Sequence, residues 1–328
     1  LKFLSLLSVQ CGLHWRGAGR VVMGKRLSKC VQCMEEEEEE AAPLNSLVPE
    51  QDPLQKDRIH RAEIARDFEI KSKVLGTGDS GAVRLAQALS TRESVAVKQL
   101  NKKRLKSHLL KSEVEVYLTL DHPNICRLLQ VYESKQDVWL VMELCGCELH
   151  TRLCERKAYR EAEAAELMLQ MLRAVSYLHN RNIVHRDVKL DNWLCGATGR
   201  DDRLQLIDFG FARHVASPNE IMDEALGTLI YVCPEIFQRS YTSKCDIWSL
   251  GVICYMLLVG KAPFHIPNND AKTKHSIRFK DFPKEGRWTS LSDKAQHLIT
   301  WLLQKDPSLR PDSAGAFQYV REWKSNMP

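Results

Sequence analysis

The chain lacks any run of about eighteen apolar residues, so no helix long enough to span a bilayer can be read from it. Its longest apolar run, Val252 to Val259, reads as a buried helix. Patterned cysteine is also missing: the eleven cysteines are odd in number and follow no repeat. Reduced thiols in a cytoplasmic chain fit that best. Cys30-x-x-Cys33 has no second pair, which makes a zinc reading poor. The net charge of +5 is too small to argue for nucleic acid. Lys102, Lys103, Arg104, Lys106 and Lys111 read as a solvated helix face. With 328 residues, 44% hydrophobic and 27% charged, the composition is that of a globular protein of two domains or one bilobal domain.

Residues 1–60 carry little globular pattern. Phe3 to Val9 faintly resembles the apolar part of a signal peptide, but is short. Met23-Gly24-Lys25-Arg26-Leu27-Ser28 matches the N-myristoylation pattern, should translation start at Met23. Gly24 would then carry myristate and Cys30 and Cys33 palmitate, giving the two signals that stable membrane association needs. The competing reading is a chance hexapeptide in a disordered leader. Glu35 to Glu40 form an acidic run typical of solvating tails, and a helix over Asp57–Ala65 is expected to lead into the folded part.

Chemistry begins at Gly76-Thr77-Gly78-Asp79-Ser80-Gly81, between strands expected over Phe68–Leu75 and Arg84–Ala88. Glycines without Cβ atoms let backbone N–H groups approach phosphates. A dinucleotide-binding turn would open a helix, whereas a second strand and then Val95-Ala96-Val97-Lys98 follow here. Downstream come His185-Arg186-Asp187-Val188-Lys189-Leu190-Asp191-Asn192, then Asp208-Phe209-Gly210, then Cys233-Pro234-Glu235. In this order the strings resemble a eukaryotic protein kinase over roughly Phe68 to Trp323.

The resemblance implies an α+β bilobal kinase fold over 68–324, with a small β-rich N-lobe (68–143) and a large α-helical C-lobe (148–324). It implies ATP and Mg²⁺ as cofactors. Gly76, Thr77, Gly78, Asp79, Ser80 and Gly81 would cover the phosphates, although Ser80 stands where many kinases place an aromatic residue. Lys98 would contact the α- and β-phosphates. Its glutamate partner is Glu113 by the family spacing to His122, leaving Glu115 as a surface charge. Val83, Ala96 and Leu194 would sandwich adenine. Met142 would be the gatekeeper, and Glu143, Leu144, Cys145 and Glu148 would form the hinge side of the nucleotide site, in a stretch one residue short of the usual pattern.

Asp187 would align the substrate hydroxyl, Lys189 would neutralise the γ-phosphate, and Asn192 and Asp208 would hold Mg²⁺. Tyr117, Leu128, His185 and Phe209 are candidates for a packed spine, which makes His185 a packing residue and not a general base. Between residues 211 and 232 no Ser or Thr stands convincingly at the activating position. Asp223 and Glu224 are therefore expected to pair with Arg186 and supply permanent negative charge, and Thr228 to position Asp187 and Lys189. Glu235 and Arg310 should form a buried pair, and Asp246 should cap its helix and brace the catalytic loop.

The implied activity is transfer of the ATP γ-phosphoryl group to protein Ser/Thr hydroxyls. Glu148 and Asp191 suggest substrates with basic residues nearby. The alternative is a pseudokinase scaffold, against which stand Lys98, Asp187, Asn192 and Asp208, all present. A monomer without nucleic-acid partners is expected. The stretches Leu120-Asp121-His122-Pro123-Asn124-Ile125 and Lys305-Asp306-Pro307-Ser308-Leu309-Arg310-Pro311 are similar to the calcium/calmodulin-dependent group, nearest to the calcium-dependent protein kinases of plants and protists. No D-x-[DN]-x-[DN]-G calcium loop occurs, so either the chain is truncated, or calcium is sensed elsewhere or not at all.

Overall fold

The computed structural model describes residues 58–78, 81–103, 107–196 and 203–327. The acylation pattern at Gly24, Cys30 and Cys33, the acidic run, and the loop-tip residues Asp79 and Ser80 lie outside the described residues. The chain divides into two compact units. Residues 58–146 group with the described part of 195–213, and 147–194 group with 214–327. The segment carrying Asp208 thus clusters with the sheet, although the sequence reading counted it with the C-lobe.

The first unit is built on a six-stranded sheet. Its strands are β1 (Ile59–His60), β2 (Phe68–Gly78), β3 (Gly81–Ala88), β4 (Ser94–Asn101), β5 (Leu128–Glu133) and β6 (Asp137–Glu143), in the order β1-β5-β6-β4-β3-β2. β4 sits centrally between β3 and β6, and Val95 to Lys98 and Leu100 are buried. Its β-branched valines suit a strand flanked on both sides. β2 and β3 are longer than expected and pair through the glycine loop, with Gly78 opposite Gly81. Gly81 permits this closeness: a Cβ there would stand 1.9 Å from the Gln99 carbonyl oxygen.

The helix expected over Asp57–Ala65 does not form in its described part. Ile59 and His60 instead pair in parallel with Val131 and Tyr132, and a 3₁₀ turn spans Ile64–Arg66. Burial of Ile59 and stacking of His60 on Tyr132, centroids 4.8 Å apart, outweigh local helix preference. The basic face is corrected as well. Lys102 and Lys103 precede the helix α1 (Ser107–Leu118), and Lys102 Nζ reaches Glu133 Oε1 at 2.7 Å.

The second unit is helical: α2 (Leu149–Arg156), α3 (Glu161–Asn180), α4 (Lys244–Val259), α5 (Asp270–Phe279), α6 (Asp293–Leu302) and α7 (Ser313–Ser325). Every residue of α4 from Cys245 to Leu258 is buried, so it needs no amphipathic stripe. α3 packs on α4 and α7, and α6 on α4. Asp246 lies in the first turn of α4, and Ser243 occupies the N-cap position. The expected capping role for Asp246 therefore fails, because its carboxylate is committed elsewhere.

Arg310 is fully enclosed. It donates to both carboxylate oxygens of Glu235 at 2.5 and 2.6 Å, and to the carbonyls of Gln304, Lys244 and Lys305. Its guanidinium also lies 5.0 Å from the Trp248 ring centroid. All five guanidinium donors are thereby used. Arg310→Leu leaves Glu235 charged and buried, and is expected to cost about 3–5 kcal/mol in urea unfolding. Glu235→Gln keeps an acceptor and should cost clearly less; equal losses would contradict this assignment.

Candidate active site

In the sheet unit, β4 presents Lys98 and α1 presents Glu113. Lys98 Nζ donates to Glu113 Oε1 at 2.7 Å and to Asp208 Oδ1 at 3.0 Å. Both Lys98 and Glu113 are buried, whereas Glu115 is half-buried. Burial pulls the Lys98 pKa down, but the Glu113 and Asp208 carboxylates raise it by more, so it stays charged. Asp208 holds a left-handed φ of 64°, which a non-glycine residue adopts only at a cost. The following Phe209 is buried against Tyr117, ring centroids 4.9 Å apart, and Leu128 is buried in the same unit.

The adenine-side candidates in this unit sit on neighbouring strands. Val83 is paired with Lys98, and Ala96 with Met142. Glu143 ends β6, and its carboxylate accepts from the Arg127 N–H at 2.7 Å and from the Gln205 amide. Cys145 lies 3.5 Å from Gln205 Oε1. The side chain of Glu143 is thus held by protein groups. Gln205 was not singled out from the sequence, since a single polar residue in a three-residue strand carries no motif.

In the helical unit, Asp187 is buried and surrounded by donors. Its Oδ1 accepts from the Thr228 N–H at 3.0 Å and the Thr228 hydroxyl at 2.8 Å, and its Oδ2 accepts from Lys189. Lys189 Nζ also reaches Thr228 Oγ1 at 3.2 Å. Gly227 makes this seat possible: its φ is +107°, and a Cβ would meet the Arg186 carbonyl at 2.9 Å. Asn192 Nδ2 donates to the Asp187 carbonyl at 2.9 Å, so its amide nitrogen is committed and its oxygen is the group left to bind a cation. Asp208 offers a carboxylate. Hard oxygen donors of this kind fit Mg²⁺, which binds carboxylates and phosphate oxygens.

The catalytic loop hangs on Asp246. Its carboxylate accepts from the His185 N–H at 3.0 Å, the Arg186 N–H at 2.9 Å and His179 Nε2 at 2.9 Å. Burial would raise its pKa, but His179 and His185 lower it overall, which keeps it ionised. His185 is itself wholly buried. Arg186, at φ 67°, forms its ion pair with Glu224 and not with Asp223. Tyr241 holds Glu224 in turn, its hydroxyl donating to the Glu224 carbonyl at 2.8 Å.

Leu194 is half-buried and forms an isolated bridge with Glu148. Glu148 and Asp191 come together, with a third member: His150 Nδ1 lies 3.4 Å from Asp191 Oδ1. The hydrogen bond to Asp191 raises the His150 pKa, and His150 in turn lowers that of Asp191 against the effect of burial. Partial burial, then Asp191, raises that of Glu148. No local pattern marks His150, because its partner lies 41 residues along the chain (191 − 150).

Comparison with known families agrees with this geometry. The family model described as protein kinase domain matches residues 69–320. The chain is 37% identical over 243 residues to calcium-dependent protein kinase 6 of Plasmodium berghei, covering 74% of this chain and 16% of that protein. It is 35% identical over 272 residues to calcium-dependent protein kinase 5 of Plasmodium falciparum, covering 82% and 48%. Against calcium/calmodulin-dependent protein kinase type 1B of the rat, identity is 37% over 262 residues, covering 79% and 76%. The chain therefore spans less than half the length of the two Plasmodium relatives. On the strength of the domain match and these relatives, the chain belongs to the protein kinase family, within its calcium/calmodulin-dependent serine/threonine group.

Proposed function

We propose that this chain transfers the γ-phosphoryl group of ATP to serine or threonine hydroxyls of proteins. The observation that carries the reading is Lys98, buried and charged between Glu113 at 2.7 Å and Asp208 at 3.0 Å. A fixed ammonium at that place suits the α- and β-phosphates. Asp187, held by Thr228, would orient the attacking hydroxyl and accept its proton as the oxygen bonds to phosphorus and ADP leaves. Lys189 would offset charge on the transferred group. Asn192 and Asp208 are the residues that would hold Mg²⁺, whose positive charge would offset that of the phosphates. The ion pair between Arg186 and Glu224 supports activity without phosphorylation of the activation segment.

The test is Mg²⁺-dependent transfer from ATP to an arginine-rich serine peptide by the full chain. Asp208→Ala and Lys98→Met should each lower transfer by about a hundredfold or more, the scale of losing one charge-stabilising group. Full-rate transfer by either variant would overturn the role given to that residue, and none by the parent protein when ATP binding is intact would favour the scaffold alternative.

A basic substrate residue before the target hydroxyl would meet Glu148 and Asp191. Protonated His150 competes for Asp191. The His150 pKa is raised above 6.5, so the competition is full below that value and fades as pH climbs through the raised one. The preference for arginine over alanine at that position, read as a ratio of kcat/KM, should therefore grow with rising pH above 6.5. His150→Gln should flatten the profile; an unchanged slope would remove His150 from the account.

A further inference from the structure

A second feature beside Asp187 says something about the other flank of the substrate. In the helical unit a cavity of about 260 Å³ opens against Gly227, whose neighbour Thr228 holds Asp187. Val232, Ile236 and Phe237 give it apolar walls, the first two buried. Its remaining wall is cationic. Arg239 and Arg278 are exposed and Lys274 is half-buried, and among the described residues none of the three is ion-paired with a carboxylate.

These cations are not dispersed by chance along the surface. Lys274 and Arg278 stand four residues apart on α5, so they share a face and repel each other. The adjoining face of α5 buries Thr273, Ser276 and Ile277, which fixes the rotation of the helix, and both charges line the cavity beside it. Arg239 comes from the turn that ends the 3₁₀ segment Pro234–Gln238, where its φ is 54°. Three positive side chains from two separate segments thus converge on one apolar cavity next to the candidate catalytic aspartate.

We propose that Arg239, Lys274 and Arg278 select protein substrates with an acidic residue shortly after the phosphorylated hydroxyl. The proposal rests on the kinase reading above. There the Glu148–Asp191 carboxylates take the basic residues before the hydroxyl, which leaves this pocket of opposite charge to the residues after it. Substrates would then be basic on one flank and acidic on the other. Like charges placed against either subsite would be disfavoured, so the two together also fix the direction in which the peptide lies.

Three fluorescent arginine-rich peptides, differing only in Glu, Ala or Lys at the second to fourth positions after the target, test this with the full-length chain. Binding is read by anisotropy on versions with alanine at the target, and turnover on versions with serine. The Glu peptide should bind about fivefold tighter than the Ala peptide, the effect of roughly one exposed ion pair, and the Lys peptide more weakly than either. The preference should shrink as salt is added. Lys274→Glu/Arg278→Glu should reverse the order, while Lys274→Arg keeps it; thermal unfolding checks that each variant is folded. Equal binding of the three peptides, no binding of any, or an order unchanged in the double variant overturns the proposal. The Glu preference in binding without phosphate transfer to any peptide would instead count against the kinase reading and leave the acidic-flank selectivity standing.

Discussion

Asp246 accepts hydrogen bonds from His179, His185 and Arg186 while buried in α4, and the candidate catalytic machinery of the helical unit depends on that arrangement. Two of the donors are successive main-chain N–H groups, of His185 and Arg186, which a loop could not otherwise bury without penalty. Fixing them sets the path of the chain into Asp187 and offsets the left-handed backbone of Arg186. Because α4 is buried along nearly its whole length, the anchor cannot drift. The loop is thus tied to the most enclosed helix among the described residues. Asp187 then needs only local partners, Thr228 and Lys189, to complete its surroundings.

The same logic recurs wherever charge is buried. Lys98 has two carboxylates and Arg310 has one carboxylate and three carbonyls. None of these charges is left to desolvation alone, which is the condition for keeping ions in a protein interior. The α5 cavity is different: among the described residues, Arg239, Lys274 and Arg278 have no carboxylate partner.

Much of the candidate site was legible because its chemistry sits in short strings. Lys98, Asp187, Asn192 and Asp208 each stand at a fixed offset within a motif, and the spacing to His122 distinguished Glu113 from Glu115. What could not be read was set by partners far along the chain. Ile59 and His60 form a strand only because β5 lies open to them; alone, two residues carry no period. His150 matters through Asp191, and Gln205 through Glu143, neither within reach of a local pattern. Asp246 showed a subtler limit: its place near a helix start suggested a cap, while the buried N–H groups of a distant loop had the stronger claim.

The pairing of Arg186 with Glu224 has a consequence in time. A phosphate ester at such a position can be hydrolysed, so the contact it makes has a lifetime set by whichever phosphatase finds it. A carboxylate belongs to the covalent chain and survives as long as the protein does. Where the activation segment is held this way, the hold is installed at synthesis and removed only by degradation. Molecules made an hour apart would be alike in it, and the quantity of protein, not its modification history, would carry the information.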